Sequence, residues 1–516
     1  MPERLGAGLR LIDLRLSRAG RDFMSWLERR GVGEAAIVVG FAVLTGGLVG
    51  ASVLAFYWLI DEASHYALEA TELMAAASGS WFLGTLAILI LGLVLVRVIV
   101  RYATGNSPGE NIPDVMHAVA RRGGVLHSTP VLAKTVGAAV TLSAGGSVGA
   151  EGPVAVLGAA VASRAGRYVH FTPQRLRLMV SCGAAAGIAG AFGAPLAGVF
   201  FALEKLIGTG RNASLAPIVV ACAAAAAITR NGLGSAPVIA IPAQYGISQP
   251  RDLVLYGLLG LLAGVVAVSY TRAVWWAQDL LGQWRPVSRI VIAATAIAGL
   301  ASLFEPSIWG SGHQRLDLGL VGDVAWWGLL VLAGAKILAT ALTFGGGGVG
   351  GVFTPALVVG GAFGAGMASL VAVVQPQWPL EPVAFGLVGM AAIVSGSMHA
   401  PLTAVFMVLE MSNDYGLVLP LLLGSALAYL VARGLNRESI YSEWLIRRGE
   451  RLSGGLDEVV LAGLRVGDVI RRDIVKLRDD LPLGAALALT AASSQSIYPV
   501  IDGQDRLVGA VGWADL

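Results

Sequence analysis

The chain has 516 residues, of which 56% are hydrophobic and only 13% are charged. Soluble proteins usually carry about 25% charged residues, so this composition excludes an ordinary water-exposed surface and indicates a protein that faces lipid. The net charge of +3 is too small to suggest nucleic acid as a partner. The two cysteines, Cys182 and Cys222, are too few for a disulfide framework or a metal site.

The N-terminal segment, residues 1–34, predicts an amphipathic helix lying on the membrane. Its arginines alternate with acidic residues, as on a solvated helix face. Basic residues before the first span favour a cytoplasmic N-terminus. The arginines are Arg4, Arg10, Arg15, Arg18, Arg21, Arg29 and Arg30.

Long apolar segments dominate the next 400 residues. A transmembrane helix needs roughly 20 apolar residues. The uninterrupted segments of this kind are 35–61, 81–100, 214–229, 253–282, 287–304, 323–344 and 415–433. Those interrupted by glycine and proline are 130–166, 176–208, 345–375 and 382–411.

The interrupted segments predict broken helices. At membrane depth these are tolerated only where the freed backbone groups face protein or a wet cavity. In transporters they mark the substrate site. The alternative is that the glycines serve ordinary helix packing, for which the total of 69 glycines is also suited.

An internal repeat indicates two membrane halves of one design. Residues 183–204 and 389–410, 206 positions apart, are identical at 11 of 22 positions, and both contain Ala-Pro-Leu and end in glutamate. A second match, 202 positions apart, aligns Gly149 with Gly351 and Pro153 with Pro355. Broken helices in corresponding places predict a site between the halves.

The domain organisation follows from these patterns. The membrane domain spans 35–436, and it is followed by a polar linker over 437–461. Residues 462–516 alternate between helix and strand patterns and predict a small cytosolic α/β fragment. The two membrane halves cover about 35–230 and 250–436.

The first chemical site is Gly149-Ala-Glu-Gly-Pro153. An acid inside a membrane segment is energetically costly, so Glu151 is a functional candidate. A helix that begins near Pro153 would aim unpaired N–H groups and its positive dipole end at this spot, which suits an anion. When charged, Glu151 can compete there as a tethered anion, and when protonated it can leave. The alternative is a buried structural carboxylate.

The other half repeats this geometry without the acid, at Gly350–Pro355.

Two catalytic patterns nearby are rejected. Gly345–Gly350 fits GxGxxG, but a dinucleotide site needs a preceding strand and an acid about 20 residues on. Gly145–Gly149 fits GxSxG, which works on a strand-to-helix turn, whereas here it joins apolar helical segments.

These segments resemble the CLC family of chloride channels and chloride/proton antiporters. Gly149–Pro153 is similar to the family's Gly-Arg/Lys-Glu-Gly-Pro motif, with Ala150 in place of the basic residue, and the resemblance makes Glu151 the external gating glutamate. Val352–Pro355 is similar to Gly-x-Phe-x-Pro, whose backbone amides line the anion site. Tyr441 resembles the tyrosine whose hydroxyl binds the central anion.

The resemblance covers about residues 30–450 and implies the architecture as well. It implies inverted halves and a homodimer in which each subunit has its own pathway. Residues 462–516 resemble a single, incomplete CBS motif. The anion-binding residues it implies are Glu110, Asn111, Gly149, Gly152, Gly351, Val352, Phe353 and Tyr441.

One departure from the family lies at Gly109–Pro113, which is similar to Gly-Ser-Gly-Ile-Pro. Glu110 stands where the anion-coordinating serine is expected. A charged carboxylate beside chloride would repel it by several kcal/mol in a low-dielectric site. Either Glu110 is protonated, or it turns away and Asn111 donates instead.

The other departure is Lys205. Family antiporters carry an internal proton-transfer glutamate directly after the position of Glu204, and Lys205 replaces it. Family channels also lack that acid, so the lysine favours a passive pathway. A buried lysine can however lose its proton, with Glu204 beside it as a partner or proton carrier. Alternatively, Lys205 extends to the cytoplasmic interface.

The sequence therefore predicts an all-α polytopic membrane protein that exchanges chloride or similar small anions for protons, gated by Glu151. The alternative is a passive voltage- or pH-gated chloride channel or an uncoupled anion transporter. An enzyme is disfavoured because the acids form no catalytic constellation. We expect no cofactor, metal or nucleic acid, and a location in a bacterial inner membrane with both termini cytoplasmic.

Overall fold

The computed structural model forms two compact units, Met1–Val459 and Val460–Leu516. Most of the predicted helix over 1–34, and Glu110, lie outside the described part of the chain. The structure describes residues 29–104, 111–208, 215–234, 239, 245, 250–303, 309–310, 324–378, 380–450, 474–490 and 497–512.

The larger unit consists of helices, as predicted. The first half contains α1 (Glu34–Ser78), α2 (Trp81–Thr104), α3 (Ile112–Ala120), α4 (Ser128–Ser143), α5 (Glu151–Tyr168), α6 (Pro173–Phe192), α7 (Pro195–Phe201) with a π-helical turn (Ala202–Ile207), and α8 (Ala216–Leu233). The second half contains α9 (Pro250–Gly282), α10 (Pro286–Leu303), α11 (Trp326–Gly346), α12 (Phe353–Val374), α13 (Pro382–Met398), α14 (Pro401–Ser412), a 3-10 turn (Tyr415–Leu417) and α15 (Val418–Leu435), and α16 (Ile440–Arg447) follows it.

Eight helical segments in the described part are long and apolar enough to cross a membrane. They include every uninterrupted segment predicted from the sequence. The 45 residues of α1 make a helix about 68 Å long, because each residue adds 1.5 Å. The hydrocarbon core is only about 30 Å thick, so α1 continues well beyond it.

Three of the four interrupted segments are confirmed as two helices each, namely α4–α5, α6–α7 and α13–α14. The fourth, 345–375, contains the single helix α12, because its first glycines end α11 and form the turn before α12. Between α6 and α7 the chain turns at Gly193, with φ of 61°, and the corresponding turn in the other half uses His399, with φ of 54°. A proline then begins the next helix in both halves, where its missing N–H costs no hydrogen bond.

The two halves are related by a local two-fold exchange. The Ser147 N–H donates to Thr343 Oγ1 at 3.0 Å, and the Val349 N–H donates to Thr141 Oγ1 at 3.1 Å. The two donors are 202 positions apart in the sequence, and so are the two acceptors. The rings of Phe200 and Phe406, 206 positions apart, stack with centroids 4.4 Å from each other. Such reciprocal contacts between equivalent residues fit the predicted inverted repeat.

Glycine permits the close helix crossings inside each half. A side chain at Gly158 on α5 would meet the backbone of Gly183 on α6, and the reverse is also true. The equivalent pair, Gly360 on α12 and Gly389 on α13, is related in the same way. These contacts explain part of the glycine content as backbone-to-backbone packing.

The smaller unit, described over 474–490 and 497–512, is the predicted α/β fragment. Strand β1 (Leu477–Arg478) pairs parallel with β2 (Ile497–Ile501), which pairs antiparallel with β3 (Leu507–Gly512). Helix α17 (Leu483–Thr490) connects β1 to β2. On its surface, hydrogen bonds from Arg478 hold the pKa of the Asp480 carboxyl below its usual value.

Candidate functional site

The site is framed by two glycine segments, one from each half. The Gly149 N–H donates to the Gly351 carbonyl at 2.8 Å, and the Gly351 N–H donates to the Gly149 carbonyl at 2.7 Å. This antiparallel bridge joins equivalent residues of the repeat. Since α5 begins at Glu151 and α12 at Phe353, the bridge brings the two helix starts together.

Glu151 occupies the start of α12. Its Oε1 accepts the Phe353 N–H at 2.7 Å and the Thr354 N–H at 3.0 Å, and its Oε2 accepts the Thr354 hydroxyl at 2.8 Å. The residue is 1% exposed. A carboxylate on free helix N–H groups is favourable, because the first amides of a helix have no partner within it and carry its positive dipole end.

Two of the predicted glycines are required by this close approach. A side chain at Gly152 would lie 2.9 Å from the Gly351 Cα, and one at Gly351 would lie 2.8 Å from the Gly152 N and 2.5 Å from Glu151 Oε1. Real Cβ atoms do not come so near to backbone. Any larger residue here would therefore separate the two helix starts and displace the carboxylate.

A cavity of about 170 Å³ lies against these segments. It has room for several water-sized species, since one water occupies about 30 Å³ in the liquid. Five of the predicted anion-binding residues line it, whereas Gly149 and Phe353 are outside its lining. The five are Asn111, Gly152, Gly351, Val352 and Tyr441.

Tyr441 reaches this cavity from α16 and is buried. Its ring lies 6.2 Å from that of Phe353, and its hydroxyl is 3.9 Å from Met398 Sδ. The hydroxyl of Tyr270 on α9 donates to the Val352 carbonyl at 2.9 Å. That bond fixes the backbone just before α12 and keeps its first N–H groups directed at Glu151.

Glu204 lies away from the cavity and contacts the other half. Its carboxylate accepts the N–H groups of Leu402 and Thr403, at 3.0 and 2.9 Å, at the start of α14. Glu410, its repeat equivalent, accepts those of Leu196 and Ala197, at 3.1 and 3.0 Å, at the start of α7. Each half thus supplies a carboxylate that caps a helix of the other.

Lys205 follows on the same π-helical turn and is partly exposed. Within the described part of the chain it makes no hydrogen bond or ion pair, not even with Glu204. After the end of α13, the ring of His399 packs edge-on against the ring of Tyr429. Arg433 donates a hydrogen bond to the Tyr429 hydroxyl. A role of Lys205 and Glu204 in proton transfer remains a prediction.

Asn111 precedes α3, and its side-chain oxygen accepts from Lys134 Nζ at 3.1 Å. Its backbone N–H donates to Asp114 at 2.7 Å. Asp114 also pairs with Arg448, which follows α16, at 2.5 Å. These bonds connect the segment that bears Asn111 to the helix that bears Tyr441. Whether Glu110 is protonated or turned away stays open, because that residue lies outside the described ranges.

Sequence reasoning missed Thr354, Tyr270 and Lys134 as parts of the site. Thr354 could have been found, because it lies within the quoted Val352–Pro355 segment. Lys134 could also have been found, because it is a charged residue in an apolar segment. Tyr270 offered no signal, since an aromatic residue in a long apolar helix is usually a packing residue.

Comparison with known proteins agrees with the geometry. The profile of the family described as "Voltage gated chloride channel" matches residues 91–433. Over 365 residues the chain is 32% identical to the putative chloride channel protein ClcB-like of Ralstonia nicotianae, covering 69% of this chain and 84% of that protein.

Two further matches concern proteins described as exchangers. The chain is 30% identical to the H(+)/Cl(-) exchange transporter ClcA of Vibrio cholerae, covering 80% of this chain and 89% of that protein. Its fold matches the crystal structure of a slow cyanobacterial Cl-/H+ antiporter with a TM-score of 0.72 at 24% identity, covering 80% of this chain and 97% of the other. The profile match over more than half of the residues establishes that this multi-pass membrane protein belongs to the CLC, or voltage-gated chloride channel, family.

Proposed function

We propose that the chain exchanges chloride for protons across a membrane and that Glu151 is its gate. The observation that carries this proposal is the Glu151 carboxylate on the first amides of α12, at 2.7 and 3.0 Å. The family resemblance assigns those amides to the anion. A relative described as an H(+)/Cl(-) exchange transporter supports the same function.

Glu151 acts in this proposal as a tethered anion. While ionised, it holds the N–H groups of Phe353 and Thr354, and a chloride 4 Å away would be repelled by about 4 kcal/mol at an effective dielectric constant of 20. A proton removes that charge, so the side chain can leave and chloride can take the N–H groups. Proton uptake is thereby linked to anion movement.

The anion would follow the cavity between α12 and Tyr441. Donors along this route are the N–H groups at the helix start, once Glu151 has left them, and the tyrosine hydroxyl, and the ammonium group of Lys134 adds a positive charge. The dipole of α12 favours a negative ion at the same place. The Gly149–Gly351 bridge holds the backbone beside Glu151 in place. In this proposal the Glu151 side chain moves to open the pathway, while the backbone stays fixed.

A second candidate, a passive chloride channel, rests on Lys205. A lysine that stays charged would repel a proton arriving from the inner side. An exchanger would need Lys205 to release its proton, or Glu204 to carry it. The two candidates therefore differ in proton movement and share the anion pathway.

We further propose that the partners are a second copy of the chain and the lipid bilayer, in a bacterial inner membrane with both termini cytoplasmic. Helices α7, α8, α14 and α15 expose large apolar side chains that suit either a subunit interface or lipid. Examples are Val219 (43% exposed), Leu402 (40%), Leu419 (60%) and Leu422 (40%).

The test is reconstitution into liposomes, recording chloride and proton flux together under a chloride gradient. In an exchanger, the flow of chloride down its gradient drives protons against their own gradient. Chloride flux without proton movement would identify the passive pathway. Absence of chloride flux in vesicles that contain folded protein would contradict both candidates.

A further inference from the structure

Two arginines lie together at one end of the contact between α2 and α10. These helices meet at Gly346 of α11, where a side chain would lie 2.8 Å from Ala293 Cβ and 3.5 Å from Leu93 Cδ1. Arg97 follows Leu93 by one turn on α2. Arg289 precedes Ala293 by one turn on α10. Since the charge of Arg97 acts on Arg289, the two side chains form a pair just beyond the point where the three helices meet.

Both guanidinium groups have donors that are open to the surroundings. Neither side chain makes a hydrogen bond or an ion pair within the described part of the chain. The Arg289 Nε is enclosed, but its two Nη groups and all the side-chain nitrogens of Arg97 are accessible. A guanidinium group carries five N–H donors and stays charged. A ligand that approaches from outside can therefore reach both residues.

The fold balances only part of the positive charge of this pair. The Arg289 guanidinium lies against the C-terminal end of α11, where a side chain at Gly347 would lie 2.9 Å from Arg289 Nη2. The negative end of a helix dipole is equivalent to roughly half an elementary charge. Because each guanidinium group carries a full charge, most of the positive charge remains. Unpaired charge is costly at membrane depth, so an anion is expected beside the pair.

The surface around the pair is suited to lipid. Exposed apolar side chains within five residues of either arginine are Val94, Leu95, Val98, Val291 and Ile292. Tyr102 and Trp284, within the same distance in sequence, are exposed as well. Tyrosine and tryptophan are enriched at the level of the lipid headgroups. The arginine pair therefore lies where an apolar surface gives way to an interfacial one.

The position of the pair favours a lipid over a free anion. Neither Arg97 nor Arg289 lines the cavity of the proposed chloride pathway. A free anion would gain nothing from the apolar surface, whereas a lipid would place its headgroup on the guanidinium groups and its chains on that surface. The helices proposed above for the subunit interface, α7, α8, α14 and α15, include neither α2 nor α10.

We propose that Arg97 and Arg289 bind the phosphate of an anionic phospholipid whose acyl chains lie on the exposed apolar surface of α2 and α10. Guanidinium groups match phosphate oxygens with paired, charge-assisted hydrogen bonds. A phosphate between the two would offset their repulsion and accept from their open donors. In the proposed topology α2 ends on the cytoplasmic side, where anionic lipids attract basic residues. The site does not depend on the choice between exchanger and channel.

The test uses the full-length Arg97→Gln/Arg289→Gln double variant and both single variants. Arg122→Gln/Arg437→Gln is the matched control, because it removes the same charge from two exposed arginines outside α2 and α10. Native mass spectrometry in detergent measures the binding of phosphatidylglycerol and of phosphatidylcholine, whose choline cation offsets its phosphate. Melting temperatures are recorded with each lipid and with inorganic phosphate.

We expect the wild type and the control to bind phosphatidylglycerol more tightly than phosphatidylcholine. In the double variant the affinity for phosphatidylglycerol should fall roughly tenfold or more, since several hydrogen bonds to a charged group are lost. Affinity for phosphatidylcholine should change little. Each single variant should lose part of the preference, which keeps the test decisive if the double variant does not fold.

Three outcomes would overturn the lipid site. The first is equal binding of phosphatidylglycerol by the wild type and the variants. The second is a melting temperature that inorganic phosphate raises as much as phosphatidylglycerol does, which would assign the pair to a free anion. The third is slower chloride flux of the variants in liposomes of phosphatidylcholine alone, with no change in lipid preference, which would assign the arginines to the chloride pathway.

Discussion

Among the described residues, three glutamates cap the start of a helix other than their own, and they are of two kinds. Glu204 and Glu410 are repeat equivalents, and each caps a helix of the opposite half. Glu151 caps α12, but its repeat equivalent is Phe353, which cannot return the interaction. Each member of the symmetric pair stabilises a helix of the opposite half. We propose that the carboxylate that breaks the symmetry marks the functional site.

The largest effect is expected at Glu151. Glu151→Gln removes the charge that competes with chloride, so it should abolish pH-dependent transport and proton coupling while anion flux continues. Combined chloride and proton recordings in liposomes measure both. Glu410→Gln is the matched control and should keep the wild-type coupling of proton movement to chloride movement. A wild-type pH profile in Glu151→Gln would show that this residue is not the gate.

Lys205 should set how strongly protons are coupled. Lys205→Glu supplies an internal acid and should increase the protons moved per chloride, whereas Lys205→Met removes any proton carrier there and should reduce them without stopping chloride. The same vesicle assay gives the ratio. Equal ratios in all three proteins would exclude Lys205 from the proton route, and no proton flux in any of them would favour the passive pathway.

The symmetric carboxylates should affect stability in equal measure. Glu204→Gln and Glu410→Gln each replace a charged acceptor of helix N–H groups, and each should cost about 1 kcal/mol, seen as similar drops in melting temperature. Only Glu204→Gln should also change the proton ratio, because it removes the negative charge next to Lys205. If both variants keep the wild-type ratio, Glu204 has a structural role alone.

A smaller effect is expected at Glu110. If it faces the anion, Glu110→Ser replaces a repelling or protonation-dependent group with a hydroxyl donor and should raise chloride affinity. Isothermal titration of the two proteins compares them directly. Unchanged affinity would remove Glu110 from the anion site and leave Asn111, which lines the cavity, as the residue to test next.

Much of this arrangement could be predicted from the sequence, because the repeat places equivalent features at constant spacing. The broken helices and the position of Glu151 at a helix start follow from local patterns, whereas the glycine bridge joins residues 202 positions apart and does not. The hydrogen-bond partners of Glu151 could not be predicted, since its bonds to Phe353 and Thr354 join residues about 200 positions apart.

Other features could not be predicted, because they depend on which segments lie together in the folded chain. Glu204 and Glu410 were visible as repeated acids, but their reciprocal capping depends on how the halves pack.

The central claim is that the Glu151 carboxylate and chloride compete for the same amides of α12. The most direct test is titration of chloride into the wild type and into Glu151→Gln at several pH values. The wild type should bind chloride more weakly as the pH rises, because the carboxyl becomes charged, whereas Glu151→Gln should bind more tightly and show no such trend. Equal affinities of the two proteins at every pH would contradict the account.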